Sequence, residues 1–161
     1  GVGCYWGPHH PRNAGFPLDE GQKTNNTAEL RAAIYAIEND PDPLECRQDS
    51  AYVVDGINLR LEEWRRLNFR PKLRASEEIS NFKLWQRLSN SLLKRKPDTV
   101  RFVWVKGHTT PEQLLSHEVT PFNHAGNDAA DALATVGIQA QPVTTSKCYK
   151  AHEGTFEFLN K

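Results

Sequence analysis

The spacing of apolar residues changes period several times along this chain, and that alternation restricts the fold more than any other feature. Val2, Cys4 and Trp6 alternate with Gly3 and Tyr5, the two-residue period of a strand. Leu30, Ala33, Ile34 and Ile37 follow at the spacing of one helical face, and Thr27 stands where a cap is expected. Asn39-Asp40-Pro41 stops that helix. Leu44 to Asp49 reads as a strand, although Glu45 and Arg47 make it polar for a buried one. Ser50 to Gly56 reads as a short helix. Phe82, Trp85, Leu88 and Leu92 form a second amphipathic stripe that ends before Pro97, and Val100 to Val105 is the strongest strand signal. The stretch Thr109 to Ala125 is rich in turn formers. Asn127 is expected to cap a last helix running to about Val136. Gly15 to Leu18 adds a short strand. Strands interleaved with helices require an α/β domain with a mixed sheet.

Composition narrows the functional classes. The chain has 161 residues, 20 basic and 20 acidic, so its formal net charge is zero. A uniformly basic nucleic-acid binder is excluded, but a local basic patch is not. Such a patch lies between 60 and 74, where Arg60, Arg65, Arg66, Arg70, Lys72 and Arg74 surround Trp64 and Phe69. No apolar run is long enough to span a bilayer, so no membrane partner is expected. Cys4, Cys46 and Cys148 are three in number, widely separated and not arranged as CxxC. That pattern argues against a disulfide scaffold or a thiolate zinc site and for a reducing, intracellular setting. Nothing distinguishes nucleus, cytoplasm and mitochondrion. Three acidic residues stand where α/β active sites form: Glu29 in a first helical turn, Asp49 at a strand's C-terminal end and Asp131 early in the last helix. If they converge, hard carboxylate oxygens suit Mg²⁺.

Five sequence blocks, in order, resemble type 1 ribonuclease H, the nuclease that cuts the RNA strand of RNA/DNA hybrids. They are Gly1-Val2-Gly3-Cys4-Tyr5-Trp6-Gly7-Pro8, Thr24-Asn25-Asn26-Thr27-Ala28-Glu29-Leu30, Leu44-Glu45-Cys46-Arg47-Gln48-Asp49-Ser50, Asn81-Phe82-Lys83-Leu84-Trp85-Gln86-Arg87-Leu88, and Trp104-Val105-Lys106-Gly107-His108 with Gly126-Asn127-Asp128-Ala129-Ala130-Asp131. The resemblance covers about residues 1–136. It implies a ribonuclease H-like fold with a mixed central sheet flanked by helices, and a two-metal-ion hydrolysis leaving 3′-hydroxyl and 5′-phosphate ends. Mg²⁺ is the implied cofactor and Mn²⁺ its substitute. Glu29, Asp49 and Asp131 match metal-binding carboxylates. His108 matches the mobile catalytic-loop histidine, with His124 as the alternative. Thr24 and Asn81 match positions holding a DNA phosphate, and Asn25 and Asn26 match minor-groove contacts. Trp64, Arg65, Arg66 and Phe69 match the basic hybrid-binding loop, and Asn127 joins the nucleic-acid-binding set.

The pattern departs from the family in two places. The family's leading catalytic Asp lies on a central strand before the position of Gly1, between the first hairpin and the strand carrying Asp49. The expectation is therefore a domain over 1–137 that lacks its first strand, followed by a tail over 138–161. On that reading residues 1–161 alone are weakly active or inactive. A permuted replacement by Phe156-Glu157-Phe158-Leu159 is the alternative. The loop 109–125 is also longer than the family's. The competing functional reading is a catalytically inactive hybrid-binding module or a structural subunit. A monomer is expected unless a partner completes the sheet.

Overall fold

A computed structural model describes residues 1–19 and 24–137, together with the backbone of 146–150. The elements are β1 (Val2–Tyr5), β2 (Ala14–Phe16), α1 (Asn25–Asn39), β3 (Leu44–Gln48), α2 (Ala51–Asp55), a π-helical turn (Gly56–Arg60), α3 (Leu61–Arg66), α4 (Phe82–Leu93), β4 (Val100–Trp104), α5 (Pro111–Leu115), α6 (Pro121–Gly137) and β5 (Ser146–Lys150). One sheet joins all five strands in the order β2-β1-β5-β3-β4. β1 runs antiparallel to β2 and parallel to β5, β5 runs antiparallel to β3, and β3 runs parallel to β4.

Strand alternation sends opposite faces of this sheet to two different helices. Val2 and Cys4 of β1 are fully buried, and the Cys4 thiol donates to the Ala32 carbonyl of α1 at 3.5 Å. Burial raises the Cys4 thiol well above the ordinary range, so it behaves as a small apolar side chain. Gly3 points the other way, toward α6, and a Cβ there would lie 2.0 Å from the Ala130 carbonyl oxygen. A similar seam runs past Gly15, where a Cβ would lie 1.9 Å from the Leu133 oxygen. These are backbone contacts, so α6 itself would have to move. Gly3→Ala is expected to cost about 1–3 kcal/mol of stability. A chemical-denaturation curve matching the wild type would show that α6 does not sit this close to β1.

The same alternation explains the polar strand. Leu44, Cys46 and Gln48 of β3 are buried in the layer under α1. Glu45 and Arg47 face away. Arg47 donates to Glu45 at 2.8 Å and to Asn123 of α6 at 2.6 Å, and its guanidinium lies 5.0 Å from the Phe122 ring centroid. Arg101 of β4 also pairs with Glu45. The charges on β3 are therefore partnered, and they form the outer surface of a strand whose inner side is core.

The main core lies between α1, α4 and the sheet. It holds the predicted stripe Leu30, Ala33, Ile34 and Ile37, with Trp85 and Leu88 from α4. Trp85 is fully buried, and a Cβ at Gly56 would meet its ring at 2.3 Å, so the π-helical turn passes where only glycine fits. Asp40 ends α1 as its C-cap and is itself fully buried, accepting the Trp6 indole N–H at 2.8 Å and Arg12 at 3.3 Å.

Several local expectations change. The cap of α1 is Thr24, whose hydroxyl accepts from the Thr27 amide at 3.2 Å; Thr27 lies inside the helix and is buried. Asn127 caps nothing, because α6 begins six residues earlier, at Pro121, and encloses it. The helix extends because Thr120 provides an earlier stop for orphan amides, its hydroxyl accepting from Asn123 N at 3.2 Å. Of the basic stretch, Arg60 ends the π-helical turn and Arg65 and Arg66 lie in α3, while Arg70, Lys72 and Arg74 lie beyond it. Cys4 is a free thiol, as expected, whereas Cys46 is disulfide-bonded.

The largest departure concerns the tail. Residues 146–150 read as linker, yet they form β5 at the centre of the sheet, in the slot between β1 and β3. Val2, Gly3, Cys4 and Tyr5 register with Ser146, Lys147, Cys148 and Tyr149, and Cys46 and Arg47 register with Lys150 and Tyr149. A central slot leaves backbone donors and acceptors open on both neighbours, and any extended segment can satisfy them. The other segment considered for that slot, Phe156 to Leu159 with Glu157, lies outside the described residues.

Candidate active site and nucleic-acid interface

Three elements present the acidic residues. Glu29 sits in the first turn of α1 and is buried, at 4% exposure. Gln48, the last residue of β3, donates its amide to the Glu29 carboxylate at 3.0 Å and to the Glu29 carbonyl at 2.9 Å. This double contact ties the start of α1 to the end of β3. Asp49 follows immediately and is half-buried. Its carbonyl accepts the Trp104 indole N–H at 3.1 Å, which joins it to β4. Asp131 lies on α6, half-buried, one turn beyond Asn127.

The structure thus brings Glu29 and the strand end carrying Asp49 together through Gln48. It does not gather three acids into one cage: among the described residues no group of three or more His, Cys, Asp or Glu is arranged to hold a metal ion. α1 and α6 lie on opposite faces of the sheet, so Glu29 and Asp131 approach any common point only past the strand ends. The central strand that separates them reads Ser-Lys-Cys-Tyr-Lys and brings no carboxylate. The donor chemistry suits a hard divalent cation, and Glu29, Asp49 and Asp131 are the residues that would hold it.

Gly107 is a positioning residue that sequence reading did not single out. A Cβ there would fall 2.1 Å from Asp49 Oδ2 and 2.8 Å from its Cγ. Only glycine lets the loop after β4 pass against that carboxylate. Gly107→Ala is expected to push the Asp49 side chain aside and lower hybrid cleavage by about 10- to 100-fold, since small misplacements of reacting groups are costly. Stability measured alongside should change far less than turnover. Equal losses in both would make the contact purely structural. Gln48 was also missed, and its signal was available: a polar residue at an inward position of a strand is either costly or bonded to something specific.

The two histidines occupy different settings. His108 is exposed, on the loop beyond Gly107, with φ of 49°. A left-handed backbone at a non-glycine residue is uncommon and concentrates at functional turns. His124 is built into α6, with Nδ1 at 2.6 Å from the Thr109 hydroxyl and Nε2 at 3.4 Å from Asp128.

A second cluster links the residues matched to phosphate binding. The Thr24 and Thr27 hydroxyls are 2.7 Å apart, and Thr27 donates to Asn81 Oδ1 at 3.3 Å. Asn81 donates onward to the Tyr52 hydroxyl at 3.3 Å, which also accepts the Trp85 indole N–H at 2.9 Å. One polar chain therefore runs across α1, α2 and α4. Asn81 holds a left-handed backbone, φ 58°, immediately before α4. Thr24, Asn25 and Asn26 are exposed beside it. Thr27 and Tyr52 carry this network, although the sequence marked neither as functional.

The basic region divides. Trp64 is half-buried, its ring 4.9 Å from that of Trp85 in an edge-to-face contact, and it lines an open groove of about 460 Å³ with Tyr52, Arg60 and Ser80. Arg65 donates to Ser89 at 2.6 Å, and Arg66 points to solvent beside Glu63. Phe69 is not an exposed ring: it is 7% exposed and belongs to the core, because a phenyl at that turn gains more from burial than from solvent. Asn127 is likewise not at the surface, being fully buried within α6. Its amide nitrogen and oxygen have no hydrogen-bond partner among the described residues.

Comparison with known proteins agrees with this layout. The family model for RNase H matches residues 1–139. Ribonuclease H of Schizosaccharomyces pombe is 34% identical over 137 residues, covering 85% of this chain and 45% of that protein. Ribonuclease H of Alcanivorax borkumensis is 36% identical over 121 residues, 74% of this chain and 68% of its own length. That of Brucella anthropi is 36% identical over 122 residues, with the same two coverages. The chain thus spans less than half of the first relative and about two thirds of the other two. The matched span takes in α1 with Glu29, the β3 end with Asp49 and α6 with Asp131, and on that basis the chain belongs to the RNase H family.

Proposed function

We propose that this protein is an endonuclease that hydrolyses the RNA strand of RNA/DNA hybrids, leaving 3′-hydroxyl and 5′-phosphate ends. The observation that carries this reading is that the start of α1 takes part in two polar clusters at once. One is the Glu29–Gln48–Asp49 junction of α1 and β3. The other is the Thr24–Thr27–Asn81–Tyr52 polar chain. The first supplies anionic oxygen, and the second supplies hydroxyls and an amide suited to a phosphate. Asn25 and Asn26, exposed at the start of α1, suit hydrogen bonding to a 2′-hydroxyl, the group that tells RNA from DNA.

The chain's own residues take the following parts. Gln48 holds Glu29 in place, Gly107 gives the Asp49 carboxylate room, and Trp104 fixes the Asp49 backbone. His108, exposed on its left-handed turn beyond Gly107, takes the part the family resemblance gives it, exchanging a proton with the leaving strand. Arg65 and Arg66 with Trp64 bind the duplex without taking part in chemistry. The RNase H family is divalent-metal dependent, and Mg²⁺, with Mn²⁺ as substitute, is the cofactor proposed for Glu29, Asp49 and Asp131. The test is cleavage of a labelled hybrid with Mg²⁺ and with a chelator, alongside calorimetric titration of Mg²⁺ into the protein. Cleavage abolished by the chelator and metal binding weakened by Glu29→Gln would support the reading.

One observation favours a second reading. The central strand β5 reads Ser-Lys-Cys-Tyr-Lys and brings no carboxylate of its own, and this suits a hybrid-binding module without turnover. Tight hybrid binding with no cleavage at any Mg²⁺ or Mn²⁺ concentration would establish it. For the binding patch, Arg65→Gln with Arg66→Gln is expected to weaken hybrid affinity and lower the salt slope by about 1.8, two phosphate contacts at 0.9 each. An unchanged slope would remove these arginines from the interface.

A further inference from the structure

The segment between β4 and α6 builds a second wall beside the candidate site. Thr110 opens it with a capping box: its hydroxyl accepts from Gln113 N at 3.4 Å, and Gln113 Oε1 accepts from the Thr110 amide at 3.1 Å. The Gln113 carbonyl then accepts from both Glu118 and Val119, at 3.0 and 3.3 Å. His117, at φ 59°, reverses the chain between them. These bonds hold Glu118 over the end of β4, where its carboxylate pairs with Lys106.

Between this wall and β4 lies an open groove of about 500 Å³, floored by Trp104 and edged by Lys106, Thr120 and Asn123. Trp104 is 53% exposed. The rings of Trp6, Trp64 and Trp85 each meet another aromatic ring, whereas that of Trp104 meets none among the described residues. Its indole N–H is spent on the Asp49 carbonyl, which orients the ring and leaves a face open. An exposed, oriented aromatic beside a cation is the arrangement that receives an unpaired nucleotide, by stacking and by phosphate contact. Paired bases do not offer their faces in this way.

We infer that this groove binds an unpaired stretch of the RNA strand flanking the hybrid, with Trp104 stacking on a base, Lys106 taking a phosphate, and Glu118 acting as a built-in competitor for Lys106. The inference rests on the hybrid reading, which puts the cut strand at Asp49, the residue whose carbonyl Trp104 holds. The Lys106–Glu118 pair is exposed on both sides, 41% and 50%. Such pairs are weak and readily exchanged, so a phosphate can displace the carboxylate.

Fluorescence anisotropy in chelator tests this with three probes: a blunt RNA/DNA hybrid, the same hybrid with an unpaired RNA flank, and the free RNA strand. The flank is expected to tighten binding by about fivefold or more. Trp104→Leu should remove that gain, read as the ratio of flanked to blunt affinity within the variant, so that any effect through its bond to the Asp49 carbonyl cancels. Glu118→Gln should enlarge the gain and steepen the salt slope for the flanked probe by about 0.7, one added single-strand phosphate contact. A flank that adds nothing in either the wild type or Glu118→Gln would overturn the groove, as would a Trp104→Leu loss equal on blunt and flanked probes. A protein that ignores the blunt hybrid but binds free RNA in a Trp104-dependent way would instead sink the hybrid reading and leave the groove standing.

Discussion

Asp49→Asn is expected to lower hybrid cleavage by at least about 100-fold, the effect of a few kcal/mol on a phosphoryl-transfer barrier. The substitution keeps size and shape and removes only the charge. Asp49 is half-buried at the end of β3, with its backbone held by Trp104, so the amide should fit without rearrangement. The melting curve should therefore stay close to wild type. That contrast separates a chemical role from a structural one. Glu29→Gln makes an informative comparison. Glu29 is buried and accepts from Gln48; a glutamine there keeps that bond through its own Oε1 but puts an amide donor in place of the second carboxylate oxygen, so it should lose activity and at most about 1–3 kcal/mol of stability. Asp49→Asn with near-normal turnover would end the assignment of Asp49 and strengthen the binding-module reading.

Tyr149→Pro should produce the largest loss of stability of any single change in the sheet, about 3 kcal/mol or more. Tyr149 registers with Tyr5 on one side and Arg47 on the other. Proline is confined to sheet edges because it cannot donate to a ladder, and β5 has a neighbour on each side. Urea denaturation would read the effect, and activity should fall with it because β3 carries Asp49 at its end. A variant within about 0.5 kcal/mol of wild type, the range of a neutral surface change, would show that residues 146–150 do not hold the centre of the sheet.

The identity of most elements was written in local sequence. Period-two alternation placed β1 and β4, the stripe from Leu30 to Ile37 placed α1, and Phe82 to Leu92 placed α4. Those signals survive because each element buries one face, and burial repeats at the element's own period. The blocks around Glu29, Asp49 and Asp131 likewise identified the family before any contact was known. Tertiary structure decided what no local window contains. Whether Glu45 and Arg47 were tolerable depended on α6 supplying Asn123 and Phe122 to one side of β3. Whether Phe69 was exposed depended on the core beneath it. Gln48 acquired its role from Glu29, nineteen residues earlier, and Gly107 from the nearness of Asp49. The centre of the sheet shows the limit most clearly. Ser146 to Lys150 has no strong strand pattern, because a short segment paired on both sides draws its stability from neighbours' unfilled hydrogen bonds more than from its own side chains. Sequence could specify an open slot between β1 and β3; only the assembled sheet determined which segment filled it and that it brought no carboxylate.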